Sequence, residues 1–476
     1  LHAFLKNIAL TLIKSISGIR GTIGGSPGES LSPLDIVKFT AAFGNYLKGE
    51  NPDSKPTVVI GRDARISGEM ISGLVASTLQ SVGIDVIDLG LSTTPTVEMA
   101  VPAEGAIGGI ILTASHNPIQ WNALKLLNSK GEFISGEAGK KLIEAVENDN
   151  FQFVEVKKIG SYQKDDTYMQ KHVDAILALP YVDSEAIKKA DFSIVIDGIN
   201  SSGSVAVPLL LKALGVTNMK ILNAEPNGHF AHNPEPLPEH LTEISNELTK
   251  GDFDLGIVVD PDVDRLAFVC ENGEIFGEEY TLVAIADYIL SKNGSEGLVT
   301  VSNLSSTMAL KDITEKRGGV YYAAAVGEVN VVEKMKATNA IIGGEGNGGI
   351  IYPELHYGRD ALVGIALFLS QLAHFGKPVG FLRKTFPNYF IAKKKIELDK
   401  EMDVDGILSK IENKYNKKHP VDTQDGVKII FEKEWVHLRK SNTEPIIRIY
   451  AESEFQTTAE NLADKIINDI KDFITK

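Results

Sequence analysis

The sequence predicts an α/β protein of three related domains followed by a smaller α+β domain. Two patterns carry this expectation. A unit of buried strand, polar loop, helix, glycine and second strand occurs three times, and the C-terminal stretch changes to successive strands closed by a helix. Parallel strands need a crossover of about a dozen residues, and a helix of that size separates each strand pair.

Taken in order, residues 1–9 read as an extension ahead of a strand-like stretch at 10–16. The first unit has a β-branched, apolar strand at 57–60, a polar loop at 61–67, a helix over 68–81, Gly83, and a strand at 84–89. The second runs through a strand at 192–196, a loop at 197–204, a helix over 205–214, Gly215 and a strand at 219–222. The third has a strand at 298–301, a loop at 302–307, a helix over 308–316, Gly318 and a strand at 320–325. The spacing between units varies, so no solenoid is expected. In the tail, strands at 389–398, 427–431, 435–438 and 446–451 precede a helix over 457–474. Boundaries are expected near 155, 258 and 383, giving domains 10–155, 156–257, 258–382 and 383–476, with linkers at 152–160 and 377–387.

The chain has 476 residues, 48 Lys and Arg against 63 Asp and Glu, and a net charge of −15. With 43% apolar and 23% charged residues it is not a disordered chain. Its acidity argues against a nucleic-acid partner; a small anionic substrate would need locally gathered Arg, Lys or metal. A single cysteine, Cys270, excludes a disulfide framework and a Cys-based zinc site and suits a reducing cytoplasm. No run approaches the roughly 18 apolar residues of a membrane helix. The mildly apolar stretch 1–16 has no small-residue cleavage site and is not read as a signal peptide.

Four segments could carry chemistry. Asp260-Pro261-Asp262-Val263-Asp264-Arg265 follows an apolar run, and its alternating carboxylates can converge on a hard cation such as Mg²⁺. An EF-hand is excluded, because Arg265 stands where the loop needs Gly and strands flank it. Thr113-Ala114-Ser115-His116-Asn117-Pro118 places a serine beside a histidine after the apolar run 107–112, outside the G-x-S-x-G pattern of acyl-transfer elbows. Such a serine can also carry phosphate, and Lys125 could supply charge or a proton. A capped Ser/Asn-Pro turn is the plain alternative. Gly343-Gly344-Glu345-Gly346-Asn347-Gly348-Gly349 lets backbone approach a ligand, with Glu345 and Asn347 suited to sugar hydroxyls, or it is a surface turn. Arg439-Lys440-Ser441-Asn442-Thr443-Glu444-Pro445, ahead of the strand carrying Arg448, offers a phosphate cradle or a basic hairpin turn. Arg20, between Ile19 and Gly21, reads as part of a glycine-flanked turn.

Together these segments resemble the α-D-phosphohexomutase family, which includes phosphoglucomutase, phosphomannomutase and phosphoglucosamine mutase. The Thr-Ala-Ser-His-Asn-Pro and Asp-Pro-Asp-Val-Asp-Arg motifs are the most specific, and the likeness runs from about residue 10 to 470. The resemblance implies three mixed α/β domains and a smaller fourth around a central cleft. It implies a phosphoserine at Ser115, with Asp260, Asp262 and Asp264 holding Mg²⁺ together with the Ser115 phosphate. Arg265 follows the trio as in the family motif. Glu345 and Asn347 would read the sugar, Arg439, Ser441, Asn442, Thr443 and Arg448 the distal phosphate, and Arg20, His116 and Lys125 would lie near the transferring group. The implied reaction moves a phosphoryl group between the 1- and 6-positions of a hexose phosphate through a hexose 1,6-bisphosphate, which also serves as activator. The implied setting is a cytoplasmic enzyme, monomer or homodimer, whose partner is a small sugar phosphate, with no nucleic acid and no membrane. A non-catalytic sugar-phosphate binder and a hydrolytic phosphatase are the rivals.

Two departures matter. Many relatives read G-E-x-S-G-H in the sugar loop, whereas Asn347 and Gly349 stand for the Ser and the His, which leaves the acid/base group unassigned. The loop resembles the archaeal-type form. The segments 17–21, 326–328 and 443–445 resemble phosphoglucosamine mutases, and that substrate is expected ahead of mannose or glucose phosphates, although 441–443 follows the latter enzymes.

Overall fold

The structure is a computed structural model that describes residues 11–15, 18–294, 297–399, 402–440 and 446–474. Its contacts divide it into two compact units, one extending to Thr281 and taking in Gly349–Gly380, the other formed by Leu282–Gly348 and the chain from Phe381 onward.

The first unit opens with a seven-stranded sheet of β1 (Ile13–Ser15), β2 (Gly18–Thr22), β3 (Thr57–Arg62), β4 (Asp85–Leu91), β5 (Gly108–Leu112), β6 (Trp121–Leu127) and β7 (Tyr162–Lys164), in the order β1-β2-β6-β5-β3-β4-β7. β3 pairs in parallel with β4 and β5, while β6 runs antiparallel to both β5 and β2, so the sheet is mixed. The parallel pairs are joined through helices Gly68–Ser81 and Thr94–Ala103, the crossovers that parallel pairing demands. Helix Pro33–Glu50 begins at Ser32, which forms a reciprocal capping box with Asp35. Its Ile36, Phe39, Phe43 and Leu47 recur at helical spacing and pack into one cluster with Val75, Leu79, Ile60 and Ile110. Arg20, expected in a turn, lies in β2: β1 and β6 pair on either side and hold the segment extended.

A second sheet contains β8 (Ser193–Asp197), β9 (Asn218–Leu222), β10 (Leu255–Val259) and β11 (Leu266–Cys270), ordered β11-β10-β8-β9. The expected boundary at 258 falls inside β10 and is corrected by the pairing. β10 is parallel to β8 and forms an antiparallel hairpin with β11, so the acidic loop between them belongs to this second sheet. The apolar run before Asp260 resembles the opening strand of a new domain, and sequence alone does not reveal its partner.

In the other unit, β12 (Val299–Asn303) lies between β13 (Val320–Ala324) and β14 (Ile342–Glu345), parallel to both. The expected glycine-rich loop therefore begins as strand, with Gly343, Gly344 and Glu345 inside β14. β15 (Gly349–Ile351) falls within the first unit, where a bridge from Ile351 to Arg359 leads into the buried helix Ala361–Phe375. The C-terminal sheet has β16 (Phe390–Glu397), β17 (Val421–Asp422), β18 (Val427–Ile430), β19 (Trp435–Lys440) and β20 (Ile446–Ser453), ordered β16-β20-β19-β18-β17 and antiparallel throughout. Arg439 and Lys440 end β19 rather than lying in the loop. Helices Val404–Tyr415 and Gln456–Ile474 cover this sheet through Ile411, Ala463, Ile466 and Ile470. No helix among the described residues is long and apolar enough to cross a membrane.

Candidate active site

Strand β5 is buried along its whole length and delivers Thr113, Ala114 and Ser115 at its C-terminal end. Ser115 has φ of 49°, a left-handed conformation that costs a non-glycine residue about 1 kcal/mol or more. A fixed network holds it there. Ser115 N donates to Thr113 Oγ1 (2.9 Å), whose hydroxyl donates to Asp63 Oδ2 (2.7 Å). Arg65 pairs with Asp63 through Nε (3.0 Å) and donates to the carbonyls of Ser115 (2.5 Å), Asn117 (2.7 Å), Pro118 (2.9 Å) and Trp121 (2.9 Å). The Phe230 ring lies 5.0 Å from the Arg65 guanidinium carbon. Sequence alone does not single out Asp63 and Arg65, since two charges in a polar loop look like a solvated turn.

Ser115 Oγ donates to Asp260 Oδ2 at 2.7 Å and lies 3.3 Å from His116 Nδ1. The acidic loop that meets it is folded tightly. Asp260 Oδ1 accepts from the N–H groups of Asp264 (3.1 Å) and Arg265 (3.0 Å), and buried Val263 takes φ of 61°. Asp262 Oδ2 accepts from Thr94 Oγ1 (2.6 Å) and Lys125 Nζ (2.7 Å). Asp264 Oδ2 lies 3.3 Å from Lys125 Nζ and 2.8 Å from Arg359 Nη2. Lys125 is carried by β6, and Thr94 opens the helix Thr94–Ala103.

All three carboxylates are buried, and each offers one oxygen within 4.8 Å of the others. Asp262 Oδ1 and Asp264 Oδ1 are buried with no hydrogen-bond partner among the described residues. Orphaned carboxylate oxygens are costly in a native interior, and a hard divalent cation with oxygen preference would satisfy them. The residues therefore fit Mg²⁺. Burial, then the charges of Asp262 and Asp264, raise the Asp260 carboxyl well above the usual range. Burial opposes ionisation of Asp262 too, but Lys125 outweighs it and holds that carboxyl below the usual range. Burial likewise opposes the charge on Lys125, and Asp262 and Asp264 overcome it, raising its pKa.

Further cations face this centre. Burial and then the field of Arg265 depress the His116 pKa, with Arg359 and Arg20 contributing in the same direction. Arg20 is itself depressed by burial and by Arg265. Glu235 Oε1 accepts from Arg265 Nη1 at 3.1 Å and lies 3.9 Å from His116 Nε2. The first unit thus gathers Ser115, His116, Arg20, Lys125, Arg265 and the aspartate trio. Arg359, Thr94 and Glu235 join them without having been anticipated.

The remaining candidates lie in the second unit. Glu345 is buried, and its Oε1 accepts from Asn303 Nδ2 (2.9 Å) and Gly327 N (3.1 Å), while Asn347 Nδ2 is 3.5 Å from its Oε2. Arg439 pairs with Asp425 Oδ2 at 2.6 Å, and the same oxygen accepts from Val326 N at 3.0 Å. Cross-strand register sets Lys395, Arg448 and Arg439 side by side on β16, β20 and β19. Like charges directly opposite one another destabilise a sheet, so this row is suited to an anion. Ser441, Asn442 and Thr443 lie outside the described residues.

Family models agree with this architecture along most of the chain. Those described as phosphoglucomutase/phosphomannomutase, alpha/beta/alpha domains I, II and III, match residues 12–153, 170–273 and 277–389, and the C-terminal domain model matches 392–469. A phosphoglucomutase/phosphomannomutase of Thermococcus kodakarensis is 37% identical over 443 residues, covering 92% of this chain and 95% of the relative. A probable phosphoglucosamine mutase of Methanopyrus kandleri is 32% identical over 457 residues, covering 96% and 97%. Among solved structures, a phosphoglucomutase/phosphomannomutase family protein of Burkholderia thailandensis superposes with a TM-score of 0.82 at 25% identity, covering 98% of each chain.

Three mixed α/β domains, a smaller antiparallel fourth and these relatives define an enzyme of the phosphotransferase class. The chain belongs to the phosphoglucomutase/phosphomannomutase family, the phosphohexomutases.

Proposed function

We propose that the chain interconverts hexose 1- and 6-phosphates through a phosphoserine at Ser115, with glucosamine phosphate as the preferred substrate. The observation that carries the mechanism is the Ser115 Oγ–Asp260 contact of 2.7 Å beside a carboxylate trio with two orphaned oxygens. In the forward half-reaction the Oγ–P bond of phospho-Ser115 breaks and a P–O bond forms to a hexose phosphate hydroxyl. The proton of that hydroxyl ends on Ser115 Oγ. The resulting bisphosphate then returns its other phosphoryl group to Ser115 by the reverse chemistry.

Phosphoryl transfer depends mainly on positioning and charge. Arg65 and Thr113 fix the nucleophile, while Lys125, Arg20 and Arg265 supply positive charge. Asp260, Asp262 and Asp264 would hold Mg²⁺, which would supply charge neutralisation at the phosphate oxygens. Arg439 and Arg448, with the segment 441–443, would hold the distal phosphate, and Glu345 and Asn347 would read the sugar. For glucosamine, the support is Glu345, whose carboxylate can pair with a 2-ammonium group, together with the 32%-identical relative. Glucose and mannose phosphates are the second reading, favoured by the 37%-identical relative.

The test has two parts. Mass analysis of the Ser115 peptide should show a phosphoryl increment after incubation with a hexose 1,6-bisphosphate. A panel of glucosamine, glucose and mannose 1-phosphates should yield 6-phosphates without free phosphate, glucosamine having the highest kcat/KM. Release of inorganic phosphate would show a phosphatase, and a higher kcat/KM for glucose or mannose would select the second reading.

A further inference from the structure

Arg359 reaches the acidic loop from a different part of the chain and stands on a rigid base. The residue after it, Asp360, donates its N–H to Ile350 O at 2.8 Å and caps the helix Ala361–Phe375 through Leu362 N at 2.8 Å. Asp360 Oδ2 lies 2.9 Å from His172 Nε2, and His172 Nδ1 lies 2.9 Å from Thr96 Oγ1, all buried. Ala361 N donates to Val263 O at 3.1 Å, which ties the same backbone to the loop between Asp262 and Asp264. From this base Arg359, 8% exposed, extends a guanidinium to Asp264 Oδ2 at 2.8 Å, and its field reaches His116 beside Ser115 Oγ.

The charges give this contact a purpose beyond pairing. Among the described residues, Lys125 and Arg359 are direct cationic partners of these carboxylates. A divalent ion on the trio would offset most of the same negative charge and leave these cations in excess, and a phosphoryl dianion at Ser115 is the group that rebalances them. Arginine is always charged and presents a planar set of donors matched to phosphate oxygens.

We propose that Arg359 is a further catalytic residue, one whose guanidinium contacts the phosphoryl group in transit at Ser115 and rests on Asp264 when that group is absent. It donates hydrogen bonds and charge, and it exchanges no proton. The proposal rests on the phosphoserine reading given above, so its test includes an arm that needs no turnover.

Full-length Arg359→Gln and Arg359→Lys are compared with the unaltered chain. Calorimetry measures Mg²⁺ affinity, then inorganic phosphate affinity at saturating Mg²⁺, and kinetics measures kcat and KM for the best hexose 1-phosphate. Removing a phosphate-binding cation should leave Mg²⁺ binding within about threefold or tighten it, and weaken phosphate binding by roughly tenfold or more. It should lower kcat by roughly a hundredfold with a smaller change in KM, and lysine should restore about tenfold of that loss. Phosphate affinity within about threefold of the unaltered chain would overturn the proposal. So would joint loss of Mg²⁺ and phosphate binding in both variants, which marks a residue that only shapes the loop. If Ser115 never takes up phosphate, the phosphoserine reading fails by itself, and the phosphate arm still decides whether Arg359 is an anion ligand.

Discussion

At the scale of single residues, Ser115 combines a strained backbone with a fully determined neighbourhood. A turn serine contributes only about 1 kcal/mol to stability, whereas covalent transfer cannot proceed without its hydroxyl. Ser115→Ala should therefore lose roughly three orders of magnitude of mutase activity or more while remaining folded. The φ of 49° supplies an internal control, because Ser115→Gly should melt higher than Ser115→Ala, by about 1 kcal/mol of left-handed strain relieved, and be equally inactive. Near-normal turnover in either variant would remove Ser115 from the chemistry. The trio gives a second test. Asp262→Asn keeps the shape but loses the charge that pairs with Lys125 at 2.7 Å. Mg²⁺ affinity by calorimetry should fall by roughly tenfold or more, and unchanged affinity would place the ion elsewhere. Ser115, the trio and Lys125 were legible because their residue types and spacing are unusual. Asp63, Arg65 and Arg359 were not, since each is an ordinary charge in a loop until folding aims it at a serine carbonyl or a buried carboxylate.

Among elements, the strands and helices of the repeated units were the most legible part. The spacing predicts a helix over 68–81, and the structure has Gly68–Ser81. The C-terminal helix, expected over 457–474, runs Gln456–Ile474. Pairing partners are less legible: hydrophobic pattern marks a strand as buried without saying beside which neighbour, and the boundary expected near 258 cuts through β10 for that reason. One buried contact between elements makes a pH prediction. Glu452 on β20 accepts from Trp435 Nε1 (2.6 Å) and from Met308 N (2.8 Å), at the start of the helix Ala309–Lys316. Burial pushes its carboxyl up to about 7. A raised acid binds its proton more readily in the folded chain than in the unfolded one, so stability is greatest below the unfolded value near 4.5 and falls as pH rises toward about 7. That interval corresponds to roughly 3 kcal/mol. Glu452→Gln keeps an acceptor oxygen and should flatten the dependence of denaturation midpoint on pH between about 5 and 7. An unchanged slope would show that Glu452 titrates normally.

Across the whole molecule, a chain of net charge −15 is a poor general ligand for phosphate, and the positive charge that an anionic sugar requires is concentrated locally. Each compact unit holds a cationic set of its own. Arg20, Lys125, Arg265 and Arg359 lie in the first unit with Ser115, and Lys395, Arg439 and Arg448 line up in the second with Glu345. In the second unit a run of contacts joins the row of cations to Glu345: Arg439 to Asp425, Asp425 to Val326 N, and Gly327 N to Glu345. This division predicts separable defects. Arg448 is exposed on β20, and its removal should not disturb the sheet. A distal phosphate clamp binds ground and transition states alike, so Arg448→Ala should raise KM by roughly tenfold or more and change kcat little. The effect should be similar for hexose 1-phosphate and 6-phosphate, because the clamp must accept whichever phosphate is distal. Mg²⁺ affinity, proposed for the aspartate trio of the first unit, should be unaltered. A defect confined to kcat, or confined to one of the two isomers, would remove Arg448 from the clamp and leave the row of cations on β16, β20 and β19 without a ligand.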